Sequence, residues 1–288
     1  FAGVEPEFIV MKYNEQGEPV KAIDNDPPNS IRPRRQAFGY DVEYSLDSMP
    51  FLKDMIDILG ELGWDLHDVV AEGAYSQFEL DFHYTDLLQM ADRLVFLKIL
   101  LKEIAKKHEM FVTFMPKPTI GDWRSGGHIN FSLNNIKENK NIFKDGDKWS
   151  QDSMYAVGGL LANSEAITAI TCPTVNSYNG LVPTVGGFEG GVHTWAPVNI
   201  TYGHNNRSAQ FRLPQNRYCI ENRAADLTMN IYLALAMTIS AAVDGIKNKI
   251  EPGKPSDFDL YALKEDDMKK LGIRRLPRNL LQSVEFLQ

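Results

Sequence analysis

The chain has 288 residues, 43% hydrophobic and 24% charged, with a formal net charge of -8; this is ordinary for a globular protein long enough to bury a large core. The negative balance, with no basic patch to track phosphates, argues against nucleic-acid binding. The longest apolar run, Ile231 to Val243, falls short of the roughly 20 residues that cross a bilayer, and no signal peptide is recognisable.

Phe1 to Lys12 reads as a strand, followed by a polar, proline-bearing loop to Arg35. Met49 to Leu62 carries Phe51, Leu52, Met55, Ile56, Leu59 and Leu62 at helical spacing, with Asp47 or Ser48 as cap and Pro50 in the first turn. Gln77 to Phe82 alternates, with Gln77, Glu79 and Asp81 on one face and Phe78, Leu80 and Phe82 on the other. Thr85 or Asp86 caps a long amphipathic helix whose stripe is Leu87, Ala91, Leu94, Val95, Leu101, Ile104 and Ala105. Phe111 to Met115 is a short strand stopped by Pro116 and Pro118.

His128 to Leu133 alternates again, placing His128, Asn130 and Ser132 together. Tyr218 to Arg223 puts Cys219, Glu221 and Arg223 on one side, and Asp226 to Ile250 reads as a mostly apolar, buried helix. With no repeat or low-complexity tract, the pattern favours one continuous α+β domain over residues 1–288. Cys172 and Cys219 lack metal-type spacing, which fits a reduced, cytoplasmic protein, although their pairing stays open. The chain starts without methionine and ends at Leu287-Gln288; both ends read as cuts in a longer protein.

The chemistry concentrates in six potential metal ligands: Glu5, Glu7, Glu72, Glu79, His128 and Glu221. Residues two apart in a strand share a face, so Glu5 and Glu7 point together. Five carboxylates gathered with one imidazole require cations, and a mostly oxygen donor set suits two Mg2+ or Mn2+ ions better than zinc. Any one of these glutamates alone would read as a solvated strand residue, and His128 alone as a hydrogen-bonded core histidine. Paired carboxylates also serve glycoside hydrolysis, but that chemistry needs neither His128 nor phosphate-binding arginines.

Seven motifs occur in order: Glu5-Pro6-Glu7-Phe8, Glu72-x6-Glu79 with Gln77 inside it, Thr113-Phe114-Met115-Pro116-Lys117-Pro118, His128 after Ser125-Gly126-Gly127, Asn176-Ser177-Tyr178, Asn206-Arg207-Ser208-Ala209 and Glu221-Asn222-Arg223. Together they resemble the catalytic domain of glutamine synthetase and its amine-ligating relatives, over nearly the whole chain. Thr194-Trp195-Ala196-Pro197 leading to Gly203-His204-Asn205-Asn206-Arg207 is most similar to the branch of type III-like synthetases and glutamate–amine ligases, which includes γ-glutamylanilide synthases.

The resemblance implies a curved antiparallel sheet flanked by helices, the fold of glutamine synthetases and guanido kinases. It also implies ATP-dependent joining of an amine to the γ-carboxyl of glutamate through γ-glutamyl phosphate. Glu7, Glu72 and Glu79 would hold the metal near glutamate; Glu5, His128 and Glu221 would hold the metal on the nucleotide, within a total of two to three Mg2+ or Mn2+ ions. Arg207 and Arg212 resemble arginines at the nucleotide phosphates, where a planar guanidinium grips oxygens bidentately; Arg223 resembles one near the transferring phosphate and glutamate. Ser132 and Asn130 would lie by the nucleotide, and Gly126 would let backbone approach the substrate. A preceding β-grasp domain, absent from this chain, and rings of ten or twelve subunits are implied for the intact protein.

Departures bear on substrate choice. Gly180 stands where the family usually carries an arginine for the glutamate α-carboxylate, and Thr184-Val185-Gly186-Gly187 stands where a flap glutamate closes the site, with Glu189 as a shifted substitute. Trp123 and Arg124 replace a small polar residue and a glycine. Arg124 is expected to supply the missing cation to glutamate, and Trp123, Phe188 and Trp195 to line an enlarged pocket suited to methylamine, a longer amine or aniline. An ordinary glutamine synthetase and a non-catalytic relative remain the alternatives.

Overall fold

Period-two burial makes the first strand the axis of the molecule. In the computed structural model, which describes residues 1–22, 39–40, 42–119, 122–181, 188–189, 192–193 and 195–287, β1 (Ala2–Tyr13) buries Val4, Phe8 and Val10 on one side and turns Glu5 and Glu7 to the other. It pairs with four neighbours along its length. The nine-stranded sheet adds β2 (Pro19–Lys21), β3 (Leu66–Ala71), β4 (Gln77–Phe82), β5 (Phe111–Thr113), β6 (Gly127–Phe131), β7 (Tyr202–His204), β8 (Phe211–Leu213) and β9 (Ile220–Asn222). Its order is β7-β8-β9-β6-β1-β4-β3, with β2 and β5 also on β1.

Neighbouring strands run antiparallel except β7 and β8, which are parallel. The expected all-antiparallel sheet is therefore a mixed one. The six residues Asn205–Gln210 joining this pair include Arg207, whose carbonyl meets Arg223.

Helices α1 (Val42–Asp47), α2 (Met49–Glu61) and α3 (Leu87–Lys107) follow in the first half. Phe51, Leu52, Met55 and Leu59 of α2 and Leu94, Leu97, Leu101 and Ile104 of α3 close over Phe8, Val10 and Phe78; each such side chain contributes about 1.5–3 kcal/mol through burial. Asp86 caps α3 by accepting from the Gln89 N–H at 3.0 Å. Val95, Ile56 and Leu62, expected in the helical stripes, are 43%, 40% and 44% exposed; Leu97 fills the α3 stripe because it stands three residues from Leu94 and four from Leu101.

In the second half, α4 (Gln151–Ala162), α5 (Ser164–Thr171) and α6 (Ile231–Asn248) pack under Phe131, Phe211 and Ile220. The helix expected from Asp226 begins only at Ile231, because Asn230 accepts from the N–H groups of Tyr232 and Leu233 at 3.1 and 3.3 Å. Asp226 stays outside it in a turn. The short α7 (Glu265–Leu271) and α8 (Leu280–Glu285) complete the chain, Ser283 of α8 donating to Glu165 O of α5 at 3.0 Å. Among the described residues, no helix is long and apolar enough to cross a membrane. Most of the expected proline-bearing loop, residues 23–38, lies outside the described residues.

Candidate active site

Strand register builds the site. Across β1 and β6, Glu5 stands opposite His128; across β1 and β4, Glu7 stands opposite Glu79. Glu221 on β9 stands opposite Asn130 of β6 and opposite Arg212 of β8. Four strands thus place four glutamates and an imidazole on one face of the sheet, and Glu72 follows β3 on the loop to β4. His128 Nδ1 lies 3.2 Å from Glu5 Oε2 and 3.8 Å from Glu221 Oε1, and Nε2 lies 3.6 Å from Glu7 Oε1.

Donor atoms of Glu5, Glu79 and His128 all fall within 4.8 Å of one another. This group takes one member from one of the two expected metal sets and two from the other. Burial, then Glu7, Glu5 and Glu72, pushes the Glu79 carboxyl well above its ordinary range; burial and Glu7 raise Glu72 to about 7. Carboxylates crowded this closely repel one another unless a cation joins them, and a hard divalent ion fits this oxygen-rich set.

Glu7 is oriented by neutral donors. Gly126 N–H donates to Glu7 Oε2 at 2.9 Å, and Gln77 Nε2 lies 3.0 Å from the same oxygen. Gln77 Oε1 in turn accepts from Ala74 N–H at 2.9 Å, locking the amide. The N–H of Gly126, expected to meet substrate, is engaged by this carboxylate.

Glu221 is differently placed from the other glutamates. Arg212 Nη1 and Arg223 Nη1 lie 2.8 and 2.5 Å from its two oxygens. Full burial opposes ionisation, yet Arg223, His128 and Arg212 hold this carboxyl down at about 2. Both oxygens already meet guanidinium groups, so Glu221 is first an anchor for arginines. Arg223 is buried and its Nε donates to Arg207 O at 3.0 Å; the exposed Arg207 donates from Nη1 to Tyr40 Oη at 3.3 Å.

A cavity of about 450 Å³ opens beside Glu5, lined in part by Asn130, Ser132, Asp81, Arg217, Tyr84 and Cys219. Arg217, which patterning misses because it sits in the turn before β9, donates to Glu5 Oε1 at 3.1 Å and to Asn130 Oδ1 at 3.2 Å. Burial, then Glu5 and Asp68, raises Asp81 to about 6. Cys219 and the buried Cys172 are free thiols.

Seven described non-glycine residues adopt left-handed backbone, Glu109, Asn139 and Lys249 among them. Tyr40, Ser76, Trp195 and Asn205 have φ of 69°, 59°, 48° and 50°, each at a cost of about 1–3 kcal/mol. Asn205 uses its conformation to accept from Arg212 Nε and Nη2 at 3.2 and 2.6 Å. Ser76 turns the chain between Glu72 and Glu79.

The glutamine synthetase catalytic-domain model matches residues 1–288. The chain belongs to the glutamine synthetase catalytic-domain family. A glutamine synthetase of Methanosarcina mazei is 38% identical over 295 residues, covering 99% of this chain and 61% of that protein. A glutamate–methylamine ligase of Methyloversatilis universalis is 34% identical over 293 residues, covering 100% and 63%. Among solved structures, a GmaS/ADP complex superposes with a TM-score of 0.86 at 31% identity, covering 99% of this chain and 63% of that one. The chain spans about three fifths of the length of these relatives.

Within that family, the residues that depart from its pattern are placed as follows. Arg124, expected at the substrate, is turned inward instead: its side chain is 2% exposed and Nη2 donates to Asp226 Oδ2 at 3.0 Å. The half-buried Trp123 lies flat on Gly73, where a Cβ would come within 2.2 Å of the indole; this seats it beside Glu72. Trp195 is 42% exposed and meets Tyr261 edge-on at 6.3 Å. Residues 184–187 and the side chains of Phe188 and Glu189 lie outside the described residues. Asn176 serves packing, with Oδ1 accepting from Lys117 N–H at 2.8 Å and Nδ2 donating to Lys117 O at 2.9 Å.

Proposed function

We propose that this chain is the catalytic domain of an ATP-dependent ligase that joins an amine to the γ-carboxyl of glutamate through γ-glutamyl phosphate. The observation that carries the reading is the cross-strand cluster of Glu5, Glu7, Glu79 and His128, with Arg212 and Arg223 converging on the adjacent Glu221. Two to three Mg2+ or Mn2+ ions held by Glu5, Glu7, Glu72, Glu79, His128 and Glu221 would neutralise phosphate charge. Donor atoms of Glu5, Glu79 and His128 lie within 4.8 Å of one another, which supports them as ligands of the first of these ions.

The protein's own groups do the remaining work. Arg207, Arg212 and Arg223 form a cationic rim for phosphate oxygens and for the charge that develops as the phosphoryl group moves. Asn130 and Ser132 line the cavity next to Glu5, the space proposed for the nucleotide. Trp123, seated against Gly73 beside Glu72, presents an apolar wall where the amine would approach, which supports an organic amine such as methylamine, an alkylamine or aniline over ammonia. Convergence of all these groups disfavours a non-catalytic relative.

A second reading, ordinary glutamine synthetase, is supported by relatives that carry that name, such as the Methanosarcina mazei protein. The deciding measurement is phosphate release from ATP and glutamate, by the full-length protein, with ammonia, methylamine or aniline. Higher kcat/KM with an organic amine is expected. A clear preference for ammonia selects the second reading, and no glutamate-dependent release with any amine overturns both. The intact protein is further proposed to be a cytoplasmic ring of ten or twelve copies, which light scattering tests directly.

A further inference from the structure

One buried cation outside the acidic cluster ties three chain segments together. Arg124 Nη2 donates to Asp226 Oδ2 at 3.0 Å and to Ala224 O at 2.8 Å, and Nε donates to Ser177 O at 3.4 Å. Asp226 is 0% exposed; its other oxygen accepts from Thr228 N–H at 2.9 Å, and its own N–H donates to Thr171 O at 3.0 Å. The ion pair therefore spans the end of α5, the 3-10 turn Asn176–Gly180 and the chain leaving β9. A buried ion pair is a poor stabiliser, because desolvation offsets much of the attraction. Its value here is geometric.

The backbone of the same residue belongs to the acidic cluster. Arg124 O lies 3.3 Å from Gln77 Nε2, Ser125 Oγ lies 3.1 Å from that nitrogen, and Gly126 N–H holds Glu7. Gly180 makes the arrangement possible, since a Cβ there would lie 2.4 Å from Arg124 Cδ and 2.8 Å from Cγ. A side chain at position 180 and the present course of Arg124 exclude each other.

We propose that Arg124 is a positioning residue: its ion pair with Asp226, laid across the bare backbone of Gly180, fixes the Ser125–Gly127 segment that aims Glu7 and Gln77 at the cation site. Asp226 and Gly180 are parts of the same device, although neither residue is counted among the metal ligands. The kinetic consequences rest on the ligase reading above; the cation-binding consequences do not.

The test compares Arg124→Gln, Arg124→Lys, Asp226→Asn and Gly180→Ala in the full-length protein. Mn2+ binding is measured by calorimetry without nucleotide, alongside melting temperature and steady-state kinetics. Asp226→Asn and Gly180→Ala are each expected to weaken Mn2+ binding about tenfold, as loss of supporting contacts does at metal sites. Both are expected to lower kcat with the KM for glutamate held within about twofold, because geometry rather than ground-state binding is lost. Arg124→Lys, which keeps the charge, recovers part of the loss. If Arg124→Gln fails to fold, Gly180→Ala still displaces the guanidinium without deleting a charge.

Parent-like Mn2+ affinity in both Asp226→Asn and Gly180→Ala overturns the proposal. So does an Arg124→Gln enzyme whose glutamate KM rises about tenfold while Asp226→Asn behaves as the parent, the pattern of a direct substrate contact. Should the parent show no ligase turnover, the ligase reading fails and the Mn2+ measurements decide this one alone.

Discussion

Glu7 and Glu79 face each other directly across β1 and β4, a cross-strand pairing of like charges that destabilises a sheet on its own by about 0.2–1 kcal/mol. Their opposition is a repulsion that the proposed cation would relieve. Glu79→Gln is accordingly expected to raise the melting temperature in chelator by a few degrees, for about 1 kcal/mol regained. It should abolish most of the further rise produced by Mg2+ and lower ligation by more than about 100-fold. Differential scanning calorimetry with and without Mg2+ checks the first two outcomes.

Stability against pH follows from the same crowding. The Glu72 carboxyl moves from an ordinary value of 4.5 to about 7 on folding, so folding favours its protonated form. That contribution is complete below about 4.5 and disappears as pH rises through about 7. Asp81, raised to about 6, acts in the same direction. Metal-free protein is expected to lose melting temperature between those limits, and saturating Mg2+ to flatten or invert the slope. A metal-free melting curve that rises through this range contradicts the assignment.

Glu221 has the opposite sign. Held down at about 2, it adds stability above about 4.5 that is lost as pH falls towards 2. Arg223→Met removes one of its two guanidinium partners and leaves a fully buried carboxylate half-compensated, which costs about 3–5 kcal/mol at neutral pH. Urea unfolding at pH 7 and pH 4 is expected to show a smaller difference from the parent at the lower pH.

The contact between Gly73 and Trp123 gives a packing test. Gly73→Ala places a Cβ 2.2 Å from the indole, and such overpacking costs about 1–3 kcal/mol. Trp123→Ala in the same chain is expected to restore much of that loss, so the two changes together cost less than their sum. Additive losses in chemical denaturation would show that the indole does not rest there.

Both thiols are expected to be sluggish. Burial pushes Cys172 up to about 12 and Cys219 up to about 11, and reactivity belongs to the thiolate. Labelling with iodoacetamide at pH 7.5 should be slow in folded protein and rapid in denaturant, with both residues modified only in the second case.

The strands that carry the ligands were legible because alternation is a local signal: Gln77–Phe82 matches the expected strand in its bounds, although Gln77 is buried and Phe82 only half-buried, and Glu5, Glu79 and His128 converge as a set. Helices α4 and α5 carry no comparable local signal. Gly158-Gly159 and the β-branched run Ile167-Thr168 with Ile170-Thr171 weaken helical propensity, and tertiary packing overrides it. The inward turn of Arg124 was beyond reach for a related reason. Its partner Asp226 is 102 residues away in sequence, and patterning assigns that aspartate to a helix that its own side chain helps to delay.

The central strand has four pairing partners and also supplies Glu5 and Glu7. Binding of the proposed cations and opening of the sheet are therefore expected to be coupled. Amide protons of Phe8 and Val10 should exchange faster whenever cations are withdrawn, so that the keel of the fold reports the occupancy of its deck.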